Sequence, residues 1–173
     1  LKNLFSTLLQ EDSLPTDYRV RDFIVGAKSI MLTMADSGYG NWKGRKNLNS
    51  YQDVRAVSVY LSLFYPNDFY IYKFNIFKEF ARQVNYTIRS KNAVDRLFEY
   101  QRLCNDVKVE LIKNTELINF YKDWLKSSGC EDNNFNLLTQ DFIYAIAVHL
   151  NSDTYSKIKG KKSRVIKLNI VSA

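Results

Sequence analysis

The chain has little of the chemistry that metals and thiols need, with two cysteines and one histidine in 173 residues. Cys104, Cys130 and His149 are far apart in sequence. That spacing suits neither a structural zinc site nor a disulfide framework, so no metal and no cofactor is expected and both thiols read as buried or idle. Long apolar runs are also missing. The stretch from Val57 to Phe64 is short, carries serine, and falls well below the roughly 20 residues that cross a bilayer. No basic segment followed by an apolar run resembles a signal peptide, so the sequon at Asn85-Tyr86-Thr87 has no meaning without secretion. The first residue is Leu1; together these features read as a fragment of a longer soluble, cytoplasmic protein with no membrane contact.

A catalytic constellation is equally hard to find. The glycine-rich stretch from Gly38 to Asn49 is not a phosphate loop. Gly44 is followed by Arg45-Lys46-Asn47, and a helix precedes it, where the loop requires Gly-Lys-Ser/Thr between a strand and a helix. His149, between Val148 and Leu150 at the end of an apolar helix, reads as a solvent-edge residue or helix-dipole partner rather than a general base. Cys130 has no histidine with an orienting group predicted beside it. No catalytic residue is assigned, and the fragment is not expected to be an enzyme.

What the chain does have is charge, aromatics and helical periodicity. The net charge is +7. From Ser156 onward there are six bases (Lys157, Lys159, Lys161, Lys162, Arg164 and Lys167) and no acids, which leaves 19 bases against 18 acids in residues 1–155. The body is therefore nearly neutral, and a nucleic-acid footprint must rest on the tail or on local patches.

Apolar residues recur at helical spacing in Leu1–Gln10 and from Thr16 or Asp17, either of which can cap, to Ser37-Gly38. A third helix, capped by Ser50, places Val54, Val57, Tyr60, Leu61 and Phe64 on one stripe and ends at Pro66. After an Asn67-Asp68 turn, Tyr70, Tyr72 and Phe74 alternate at period two, which suggests a short extended entry to a helix over Lys73–Asn85. Residues 92–126 read as helical with a break near Asn114-Thr115, and Thr115 as the cap of the helix that follows. Ser127-Ser128-Gly129 closes it, and a last apolar helix follows from Leu137 to Leu150. The expected fold is all-α: a multi-helix orthogonal bundle of six or seven helices over residues 1–155. The basic tail, 156–173, reads either as a short extended strand opening a further element or as a linker or cloning-derived extension.

Two groups of residues suit nucleic acid. Trp42, flanked by Lys43, Arg45 and Lys46, could stack on a base while the cations hold phosphate, or could pin a solvated loop as a partly buried ring. Tyr72-Lys73 could assist, although a tyrosine-rich entry to an apolar helix is more often core.

The order of these blocks resembles the amino-terminal helical region ahead of the motor in McrB-like AAA+ ATPase/GTPase subunits of modification-dependent restriction systems, a bacterial defence. The residues that carry the resemblance, over about residues 1–150, are Gln52-Asp53-x-Arg55, Tyr65-Pro66 with Tyr70 to Lys73, and Leu137 to Phe142. The Walker motifs of such a motor are absent from these residues. The resemblance implies DNA recognition, or relay of DNA binding to a downstream AAA+ motor and partner nuclease. The alternative is a helical protein–protein adaptor without nucleic-acid contact. In that case Asp53 with Arg55, and Gln140 with Asp141, would be capping and inter-helix contacts.

Overall fold

The computed structural model describes residues 2–10, 14–39, 42, 45 and 48–149. The fold is all-α, with seven helices and no strand among the described residues: α1 (Lys2–Leu9), α2 (Thr16–Asp36), α3 (Val54–Phe64), α4 (Phe74–Gln83), α5 (Ala93–Ile112), α6 (Thr115–Ser128) and α7 (Asn136–His149). None is long and apolar enough to cross a membrane. The basic tail and Leu150 lie outside the described residues.

Helix α5 is the axis of the domain, and it packs against α2, α3, α6 and α7, while α1 lies on α2 and α4 on α7. Its sequence accounts for that position, since Val94, Leu97, Tyr100, Leu103, Cys104, Val107 and Leu111 are all buried along its length. An apolar set this extensive gives a helix several partners instead of one. Burial pushes the Cys104 thiol well above its ordinary value, so this cysteine is an inert core residue.

The helix ends correct three expectations. Asp53, not Ser50, caps α3, accepting from the N–H groups of Arg55 and Ala56 at 2.9 and 3.1 Å. Asn114, not Thr115, caps α6 through the Leu117 N–H. Helix α2 has Pro15 at its N-cap position and no side-chain cap, and the Thr16 hydroxyl instead accepts from Arg19. Gly129 closes α6 as expected, at φ +67°, where glycine bears no Cβ penalty. Phe64, expected on the inner stripe of α3, is exposed.

Arg19 shows how α1, only eight residues long, stays attached. Its guanidinium is buried and donates to the Leu8 and Gln10 carbonyls at 2.8 and 2.7 Å, while the Tyr65 hydroxyl donates to the Leu9 carbonyl. Unpaired carbonyls at a helix C-terminus carry partial negative charge, so a cation there meets both a hydrogen-bond and a dipole requirement. Arg19→Met keeps an unbranched side chain and removes these donors. The expected loss is about 2 kcal/mol in urea unfolding, with amide exchange in α1 accelerated ahead of the rest of the domain.

Residues 69–73 are extended without a partner strand, and their backbone is satisfied by side chains. Gln101 of α5 accepts from the Tyr70 N–H at 2.8 Å and donates to its carbonyl at 2.9 Å. Gln140 of α7 accepts from the Ile71 N–H at 2.8 Å, and Ser58 of α3 accepts from the Tyr72 N–H at 2.9 Å. Period-two alternation buries Tyr70 and Tyr72 and exposes Ile71. The segment thus ties three helices together.

Candidate nucleic-acid interface

Of the residues expected to contact DNA, the structure takes Tyr72 out of the set. It is 3% exposed and its ring meets Tyr100 edge-on at 5.5 Å. Burial raises its phenol above the ordinary value, so the group is a neutral core hydroxyl. The extended alternation that aims Tyr70 inward necessarily aims Tyr72 inward as well. Lys73 is exposed and occupies the N-cap position of α4.

In the glycine-rich loop, Trp42 is half-buried and meets Tyr39 edge-on at 6.3 Å. Arg45 is exposed, and its N–H donates to the Trp42 carbonyl at 3.1 Å. Lys43 and Lys46 lie outside the described residues. Farther along, Tyr51 is 76% exposed at φ +54°, a left-handed conformation uncommon for a non-glycine residue. The described part of this loop therefore sets a half-buried Trp42 against Tyr39, with Arg45 exposed.

A denser basic region lies elsewhere. Residues 73–102 hold seven bases (Lys73, Lys78, Arg82, Arg89, Lys91, Arg96 and Arg102) against three acids (Glu79, Asp95 and Glu99). Residues 1–72 hold eight against seven, and residues 103–155 hold four against eight. Along the sequence the excess of four positive charges therefore falls in residues 73–102, which span Lys73, α4, the connector and the first half of α5. The sum over residues 1–155 conceals this, whereas a running charge count along the sequence reveals it.

The connector between α4 and α5 is the centre of that region. Along it Tyr86, Ile88 and Ser90 are partly buried, while Thr87, Arg89 and Lys91 are exposed. The Tyr86 phenol is raised by burial and by its hydrogen bond to Glu99, and the nearby charges of Arg102 and Arg89 oppose the rise. Both guanidinium groups therefore lie within electrostatic reach of the same hydroxyl. None of Arg89, Lys91 or Arg102 forms an ion pair among the described residues. Beside them is an open groove of about 540 Å³ lined by Thr16, Asp17, Ser90, Asp95, Phe98 and Arg102. Its wall is fixed by the Arg21–Asp95 ion pair, which links α2 to α5. Arg96 is committed elsewhere, stacked 4.9 Å over the Phe74 ring.

Other polar clusters have structural explanations. Asp132 accepts from the Tyr121 hydroxyl and the Leu138 N–H, each at 3.0 Å, joining α6 to the start of α7. Burial, then the Asp132 charge, raises the Asp141 carboxyl. No group of three or more histidine, cysteine or carboxylate side chains able to hold a metal occurs among the described residues.

Comparison with family models, curated proteins and solved structures finds no match to this chain.

Proposed function

We propose that this chain is a non-catalytic, amino-terminal helical region of a McrB-like restriction motor, acting in the cytoplasm. It engages DNA and relays that binding to a downstream AAA+ motor and its partner nuclease. The observation that carries the DNA part is the segregation of charge into residues 73–102, with Arg89, Lys91 and Arg102 exposed around one connector. Cations so placed displace counterions from a phosphate backbone, giving salt-dependent and weakly sequence-selective affinity. Three of the residues behind the resemblance make structural contacts within this fold. Gln52 accepts from the Tyr60 hydroxyl, Asp53 caps α3, and Gln140 holds the extended segment.

The test compares two triple variants in fluorescent duplex binding. Arg89→Ala with Lys91→Ala and Arg102→Ala is expected to weaken binding strongly and to reduce the slope of log affinity against log salt by about 2 to 3. Lys43→Ala with Arg45→Ala and Lys46→Ala is expected to have a smaller effect. The reverse ranking would return the site to the Trp42 loop, and no effect from either set would remove both.

One observation favours the adaptor reading. Helix α6 exposes Phe120 at 73% and Trp124 at 46%, one turn apart, on a helix whose acids Glu116 and Asp123 are matched by Lys122 and Lys126. An exposed aromatic pair of this kind on a helix without net positive charge is chemistry for a protein partner.

A further inference from the structure

We propose that Glu99 is the positioning residue of a phosphate-contact element, the connector at residues 86–92, whose ligand is the sugar–phosphate backbone of duplex DNA; this rests on the DNA reading above.

The connector has little to shape it from within. Among the described residues, residues 87–91 make no backbone–backbone hydrogen bond, and the flanking contacts are the Tyr86 N–H to the Ala81 carbonyl and the Arg96 N–H to the Asn92 carbonyl. An unpaired exposed segment of this length ordinarily samples many conformations. Here one carboxylate holds it. Glu99, 3% exposed on α5, accepts the Arg89 N–H on one oxygen and the Ser90 N–H on the other, both at 2.8 Å, with the Tyr86 hydroxyl also donating at 3.1 Å.

The consequence is directional. Two successive N–H groups bound to one carboxylate fix the peptide planes at residues 89 and 90, and the half-buried Ile88, packed on the core, keeps the register. Arg89 and Lys91 are then both left exposed, two residues apart in the chain. They can address neighbouring phosphates on one strand without first ordering the loop, which lowers the entropic cost of binding. The Glu99 charge beneath them is buried, whereas Arg89, Lys91 and Arg102 are exposed.

A double-mutant comparison in the full chain tests this, using anisotropy of a fluorescent duplex at constant salt. Arg89→Ala with Lys91→Ala is expected to weaken binding about tenfold or more. Glu99→Gln is expected to weaken it by a similar factor, and to add little once Arg89 and Lys91 are already alanine. Loss of a negative charge alone would strengthen binding to a polyanion, so weakening reports the geometry of the connector. Glu99→Asp keeps the charge but shortens the reach by one methylene, and serves if the glutamine variant unfolds; circular dichroism monitors the fold of each. An effect of Glu99→Gln, or of Glu99→Asp, that is as large without Arg89 and Lys91 as with them would overturn the positioning role while leaving the DNA face intact. Unchanged affinity for Arg89→Ala with Lys91→Ala would overturn the DNA face itself.

Discussion

Glu99→Gln is expected to lower the free energy of unfolding at neutral pH by about 3 kcal/mol, because charge-assisted hydrogen bonds to a buried carboxylate are the strong ones and an amide cannot replace both oxygens. The glutamine NH2 would face the N–H of Arg89 or Ser90, donor against donor, in a site with little access to water. Acid makes the same point independently. Burial pushes the Glu99 carboxyl up, but the hydrogen bonds from Arg89, Ser90 and Tyr86 outweigh it, and the net position lies below the ordinary 4.5. Since the folded value is the lower one, the stabilisation is present above pH 4.5 and disappears as pH falls through the folded value. Urea midpoints measured down through that window should therefore fall more steeply for the wild type than for the glutamine variant. Parallel curves would mean that the carboxylate is not what holds the connector.

Gln101→Leu is expected to cost as much, about 3 kcal/mol, although it exchanges a polar core residue for an apolar one of similar size. The side chain is buried and pairs with both the N–H and the carbonyl of Tyr70, itself 1% exposed. Leucine leaves one donor and one acceptor unmet in the interior, each with its own desolvation cost. Asn105→Ala is the control. Asn105 is exposed and accepts the Tyr70 hydroxyl at 3.1 Å, so its removal should cost less than about 1 kcal/mol. Equal effects on the urea midpoint would contradict the view that side chains, in place of a neighbouring strand, hold residues 69–73.

These two residues also mark the limit of what is legible in the sequence. Helical periodicity is sufficient for the all-α class and for most inward residues, among them Val20, Phe23, Val57, Phe77, Phe80 and Ile143, because burial of one helix face repeats every three or four positions. Alternation through Tyr70 and Tyr72 likewise points to an extended segment. Glu99 gives no such signal. It lies between Arg96 and Arg102 at helical spacing, a pattern that ordinarily marks a solvated face, and only the return of residues 89 and 90 over α5 makes it a core anchor. The cap of α3 is ambiguous because Ser50 and Asp53 are both good caps, and the choice depends on where the chain enters the helix. Tyr72 suits DNA on paper because a tyrosine ring serves a core and a base stack equally well. The basic region is legible in principle, but averaging over the whole body hides it.

The measurement that most directly tests DNA recognition by the helical body is a salt titration of duplex binding. It compares the full chain with a variant in which Lys157, Lys159, Lys161, Lys162, Arg164 and Lys167 are all glutamine. The tail is the competing source of positive charge, with six bases and no acid after residue 155. The neutralised variant is expected still to bind, more weakly, with a clear negative salt slope that is lost on adding Arg89→Ala, Lys91→Ala and Arg102→Ala. Binding that vanishes with the tail charges alone would contradict this and leave the helical body as an adaptor.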